Sequence, residues 1–229
     1  MAHKAPSLPP ALKRLIDLNR WVVWRWEVTK KGKPTKVPYQ AHHPERKAST
    51  KDPQTWAPYA VAAKVRDVDG IGFVLTDTEF AAFDIDDCRN AATGEIHPWA
   101  QKLVERANSY TEITTSGTGL RIIGLAKNAV HHRKQPAIDG VTCEAYSHAT
   151  RYIAMTGDQL NGAGLVNLDT VMDEVVAELD QLNACSTYWE NIAKTLENSL
   201  MPQIVRSWPR TKKLDPINAP HINVLTCAT

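Results

Sequence analysis

The sequence predicts an α/β fold of the α+β kind: a mostly antiparallel mixed sheet with packed helices. Three observations carry this. Short apolar runs recur between turn residues, at 21–28, 70–75, 80–86, 110–114, 120–125, 141–146 and 151–155. Two stretches instead show the 3.6-residue stripe of an amphipathic helix: 98–107 through Trp99, Leu103, Val104 and Ala107, and 169–182 through Val171, Met172, Val175, Val176 and Leu179. Finally, several connections between the apolar runs are short turns, which suit antiparallel neighbours and not parallel crossovers.

Residues 11–19 form a predicted short helix, apolar at Leu12, Leu15, Ile16 and Leu18, with Pro9 and Pro10 ahead of it at a helix start. A strand follows at 21–28. Val22, Trp24, Trp26 and Val28 share one face, and Trp21, Val23, Arg25 and Glu27 the other. The three tryptophans are read as core and sheet surface in preference to base stacking, because strand aromatics commonly pack. Lys30-Lys31-Gly32-Lys33-Pro34 is a basic turn leading into a short strand around 36–39. It is either a solvated hairpin tip or a place where Lys33 or Lys36 meets nucleic-acid phosphate. Asp52 and Pro53 begin a predicted helix that runs to about Val65 and buries Trp56, Ala60 and Ala63.

The strands 70–75 and 80–86 are joined by Thr76, Asp77, Thr78 and Glu79 and are predicted to form a hairpin. Strands 110–114 and 120–125 flank a glycine loop. Residues 127–135 read as a polar loop holding His131, His132, Arg133 and Lys134, the last two being candidate nucleic-acid contacts. Strands 141–146 and 151–155 are predicted to pair. Helix 169–182 is followed by a second helix over 186–200, and Pro202, Pro209, Pro216 and Pro220 break any long element beyond. The domain reading is a globular domain over 1–183 and a helical segment with a proline-containing tail over 184–229.

A chain of 229 residues with 43% hydrophobic and 23% charged residues has an ordinary globular composition. No apolar run approaches the roughly 20 residues of a membrane span, so no membrane partner is expected. The N-terminus lacks the apolar core of a signal peptide, and a cytoplasmic location is expected. Cys88, Cys143, Cys185 and Cys227 are widely spaced, which favours reduced thiols over zinc or a disulfide framework. A net charge of +2 does not by itself demand a nucleic-acid partner.

The chemistry gathers between Phe73 and Arg151. In Phe83-Asp84-Ile85-Asp86, strand alternation turns Asp84 and Asp86 to one face. Acids in an apolar run need partners, and a shared cation supplies them. Glu144, on another strand, completes a carboxylate set able to hold two divalent metals for nucleotidyl transfer. Ser116-Gly117-Thr118-Gly119 places glycines where backbone N–H groups approach phosphate, although a plain hairpin turn has the same composition. It is not a Walker loop, since no Gly-Lys-Ser/Thr follows. Arg121 and Arg151 are candidate triphosphate ligands.

The ordered set Lys36-Val37-Pro38-Tyr39, Asp52-Pro53, Gly70-Ile71-Gly72-Phe73-Val74, Asp84-Ile85-Asp86, Ser116-Gly117-Thr118-Gly119-Leu120-Arg121, Glu144-Ala145-Tyr146 and Arg151-Tyr152 resembles the primase-polymerase domain of phage and plasmid replication proteins, in the archaeo-eukaryotic primase superfamily. The resemblance covers about residues 15–160. It implies an RRM-like core and template-directed nucleotide addition from dNTP or NTP with Mg²⁺ or Mn²⁺. It implies Asp84, Asp86 and Glu144 as catalytic and metal residues. Ser116, Gly117, Thr118, Gly119, Arg121 and Arg151 are implied around the nucleotide. DNA template and primer are the implied partners. Many members carry histidine at the position of Arg121; arginine still binds phosphate but does not titrate near neutral pH. Relatives commonly continue into a priming domain and a helicase, so any helicase is expected on a separate chain.

Two other readings compete. A non-catalytic relative would bind single-stranded DNA or an origin without using its acids. A metal-dependent nuclease would degrade a primer. Replication and gap-filling repair are equally compatible with the residues.

Overall fold

The computed structural model describes residues 7–200. Contacts divide the chain into two compact units, one through Ala177 and one from Glu178. Among the described residues there are nine strands. Four make one antiparallel sheet in the order β2-β1-β3-β9: β1 (Trp21–Val28), β2 (Pro34–Tyr39), β3 (Gly70–Val74) and β9 (Tyr152–Met155). Five make a second, in the order β5-β6-β4-β8-β7: β4 (Phe80–Asp86), β5 (Tyr110–Ile113), β6 (Leu120–Leu125), β7 (His132–Pro136) and β8 (Thr142–Tyr146). The α+β class is as expected. The strands make two separate sheets, and every pairing between them is antiparallel.

One core joins the sheets. Trp21, Val23, Ile71 and Phe73 come from the first sheet; Phe80, Ala82, Tyr110, Ile123 and Tyr146 come from the second. The Trp21 indole N–H donates to Leu15 O at 3.0 Å and that of Trp24 to Ile71 O at 3.1 Å, so both burials leave no unpaired donor.

Four expectations about connection fail. β3 and β4 do not form a hairpin. Both edges of β3 are taken, by β1 and β9, so β4 finds its neighbours in the other sheet. β8 and β9 do not pair for the same reason. Residues 132–136 are a strand on the edge of the second sheet and not a loop. Its exposed, polar sequence gives no periodic signal, and pairing with β8 decides it. The helix predicted from 52 to 65 is interrupted at Pro58, which lacks an N–H and whose ring opposes helix continuation. A 3-10 turn at Pro53–Thr55, capped by Asp52 accepting from Gln54 N at 3.0 Å, precedes a single turn at Tyr59–Ala62, here α2. Ala62 is buried there and Ala60 is exposed.

The first helix is also shorter than predicted: a 3-10 turn at Pro10–Leu12 and α1 at Lys13–Ile16, burying Leu12 and Leu15. α3 (Pro98–Ala107) matches its stripe and buries Ala100, Leu103, Val104 and Ala107. The two predicted C-terminal helices are one, α4 (Asp169–Leu200), since Asn183, Ala184 and Cys185 include no breaker. No described helix is long and apolar enough to cross a membrane. Cys88 and Cys143 are free and buried, and burial pushes the Cys88 thiol up to about 11. The proline-rich tail lies outside the described residues.

Candidate active site

The register of the second sheet builds one transverse row of charge. Glu112 pairs with Arg121, Arg121 with Asp84, Asp84 with Glu144 and Glu144 with Lys134. Directly opposed residues share a face, with Cβ atoms about 4.5–5.5 Å apart. Two residues back along the same face lie Tyr110, Ile123, Ala82 and Tyr146, all in the core. The face that two sheets bury is thus apolar along one row and ionic along the next. Asp86, one further step along β4, carries the row of acids outward.

Each acid meets a basic group. Arg121 Nη2 donates to Asp84 Oδ2 at 2.9 Å, Lys134 Nζ to Asp86 Oδ2 at 2.6 Å, and Arg151 Nη1 to Glu144 Oε1 at 2.7 Å. The Arg151 guanidinium also lies 3.8 Å from the centre of the Tyr146 ring. Arg121 is 4% exposed; its Nη1 donates to Ala154 O of β9 and lies 3.7 Å from Glu112 Oε1. Burial works against its charge, but the Asp84 and Glu112 carboxylates outweigh that and raise its pKa. Glu112 is fully buried, and burial pushes its carboxyl above the usual range against the pull of Arg121. Its oxygens also accept from Thr156 N at 3.1 Å, Gly157 N at 3.0 Å and Tyr110 Oη at 3.0 Å.

Asp84, Asp86, Arg121, Arg151 and Lys36 line a cavity of about 470 Å³ between the sheets. Burial, with Arg121 nearby, lowers the Lys36 pKa. The glycine loop turns β5 into β6, with Gly117 N donating to Thr114 O at 2.9 Å and Thr118 N to the Ser116 hydroxyl at 3.3 Å. Ser116 and Gly117 line a neighbouring cavity of about 600 Å³, while the Lys36 ammonium donates to the Thr115 hydroxyl across the boundary. Gly119 is required by space: a Cβ there would lie 2.8 Å from Ile85 O and 2.8 Å from Thr114 Oγ1. Gly119→Ala is expected to destabilise the chain by about 1–3 kcal/mol, measurable by urea unfolding, since a backbone carbonyl of the acid-bearing strand would have to shift.

The donor chemistry fits a hard divalent cation in two respects. The acids offer carboxylate oxygens, which Mg²⁺ and Mn²⁺ prefer. Asp84 Oδ1 is buried with no hydrogen-bond partner, a state that a cation would relieve. Yet among the described residues no group of three His, Cys, Asp or Glu side chains is arranged to hold a metal as it stands. The acids share a face, but they are not gathered into a chelate.

The sequence reading therefore brings together Asp84, Asp86, Glu144, Arg151 and Lys36. Lys134 joins them as a strand residue opposite the acids. Lys33 is exposed on the β1–β2 turn, and Arg133 alternates to the face opposite Lys134. Arg121 lines the same cavity as Asp84 and Asp86, and in this structure its Nη2 holds Asp84 while its Nη1 donates to Ala154 O. Sequence reasoning missed Glu112. The signal was there, an acid inside the apolar run Tyr110-Thr111-Glu112-Ile113, the same signal that identified Asp84.

No family model matches the chain. Over 159 residues, 67% of this chain, it is 35% identical to a DNA primase-polymerase of Nitratiruptor phage NrS-1, and it spans about a fifth, 21%, of that relative's length. That identity identifies the matched stretch as a primase-polymerase domain of the kind found in phage replication proteins.

Proposed function

We propose that the chain is a template-directed nucleotidyltransferase, a DNA polymerase or primase acting in phage or other mobile-element replication in the host cytoplasm. The observation that carries this is the pairing of Asp84 with Glu144 across β4 and β8, with Asp84 and Asp86 lining a cavity together with Lys36 and Arg151. Asp84, Asp86 and Glu144 would hold Mg²⁺ or Mn²⁺. When bound, two such ions stabilise the attacking primer hydroxyl and the leaving pyrophosphate. Arg151 and Lys36 are the cations best placed to take phosphate oxygens of a dNTP or NTP as the acids exchange their partners. Arg121, held by Glu112, keeps Asp84 in place. The Ser116–Gly119 backbone would meet the same nucleotide from the adjoining cavity. DNA template and primer are the proposed partners.

One observation favours a second reading. Every acid already faces a basic group, as a metal-independent single-stranded DNA or origin-binding relative would allow. Extension of a labelled primer separates them, with dNTPs or NTPs and Mg²⁺ or Mn²⁺. Metal-dependent lengthening supports the polymerase; DNA binding without lengthening supports the binder; shortening of the primer indicates a nuclease.

A further inference from the structure

Trp26 is the β1 tryptophan that the core does not use. Trp21 and Trp24 are 0% and 2% exposed, whereas Trp26 is 51% exposed. Its position is nonetheless held. Its backbone N–H donates to Asp69 Oδ2 at 2.7 Å, and its ring stands edge-on to Trp24, 5.6 Å between centroids. The Lys36 ammonium lies 5.3 Å from both ring centroids. Trp24 is itself seated on Gly70, where a Cβ would come within 2.7 Å of the indole nitrogen. A half-exposed indole with this much support is pre-organised, and such rigid aromatics suit binding.

The indole borders both cavities. On one side are Asp84, Asp86 and Arg151; on the other are Arg89, Thr114, Ser116 and Gly117. An aromatic plane flanked by a cation, between two polar clefts, is the chemistry that takes an unpaired base together with its phosphates. A single nucleotide would occupy one cleft and leave the other empty. A strand passes from one to the other, and Lys30, Lys31 and Lys33 stand exposed on the turn that follows β1.

We propose that Trp26 is a stacking platform for a base of the single-stranded template as that strand crosses from the second cavity into the acid-lined one. This rests on the polymerase reading above. The test is fluorescence anisotropy of a labelled single-stranded oligonucleotide with the full chain, without metal or nucleotide. Trp26→Ala is expected to weaken binding roughly 5- to 100-fold and Trp26→Phe to retain most of it. An abasic oligonucleotide of the same length should bind wild type and Trp26→Ala alike. The salt dependence should keep its slope, since no charge is lost. Thermal melts by circular dichroism establish that both variants fold. Unchanged affinity in Trp26→Ala overturns the proposal, as does an equal loss on the abasic strand. It is also overturned if DNA affinity is unchanged and only the KM for the incoming nucleotide rises. Weakened binding in Trp26→Ala beside a wild type that extends no primer keeps the stacking and removes the polymerase reading. Extension that dies with Asp84 while Trp26→Ala binds normally does the reverse.

Discussion

Asp84→Asn is expected to abolish primer extension, on the order of a thousand-fold or more, while the chain stays folded. Asparagine has the shape of aspartate, and its carbonyl still accepts from Arg121 Nη2, so the buried guanidinium keeps an acceptor. What is lost is the negative charge and the unpartnered carboxylate oxygen, the features that a divalent ion would use. Asp84→Ala is a poorer experiment because it strips a partner from a buried arginine and mixes misfolding with lost chemistry. Asp86→Asn should give a comparable loss with less effect on stability, since Asp86 is half exposed and its partner Lys134 reaches water. Extension assays at saturating Mg²⁺ or Mn²⁺, run beside thermal melts and single-stranded DNA binding, check this. An Asp84→Asn protein that extends primers at the wild-type rate would sink the catalytic assignment.

The largest effect on stability is expected from Arg121. Arg121→Ala leaves the fully buried Glu112 and the largely buried Asp84 without their shared cation, at a cost of about 3–5 kcal/mol in urea unfolding. Glu112→Ala should cost a similar amount, because it also unpairs the Thr156 and Gly157 amides. Glu112→Gln should cost less, since an amide can keep part of that bonding. The double variant Glu112→Gln/Arg121→Met should be less damaged than the sum of the single changes, and a double-mutant cycle reads that coupling. pH supplies a separate check. Burial raises the Glu112 pKa above its unfolded value, so the folded chain binds the extra proton. Its contribution is fully present below the unfolded pKa and falls as pH rises toward the folded one. Unfolding measured across mildly acidic to neutral pH should show wild type losing stability relative to Glu112→Gln over that window. A flat difference would contradict the assignment.

Alternation along β4 puts Asp84 and Asp86 on one face, and the apolar residues around them mark the acids as needing partners; Asp84 is largely buried as that pattern expects, whereas Asp86 is half exposed. The same logic read β5, β6, β8 and β9 as strands and α3 and the start of α4 as helices, because periodicity is a local property of the chain. Pro58 and Lys134 show where it failed. Pro58 interrupts an apolar pattern that a good cap at Asp52 opens, and a polar edge strand carries no pattern at all. Arg121 shows a different limit. Its residue type is compatible with phosphate or with a buried ion pair, and the sheet register that sets it between Glu112 and Asp84 is not visible in the local sequence.

The sequence by itself determined the fold class, the acids and their shared face, since each follows from residue type and a period of two. Only the tertiary structure decided that β3 and β4 separate into different sheets, that Arg151, just ahead of β9, reaches Glu144 in the second sheet, and that Trp26 remains in water while Trp24 does not. Those outcomes depend on which strand edges are already occupied, and edge occupancy is a property of the whole assembly that no local stretch of residues encodes.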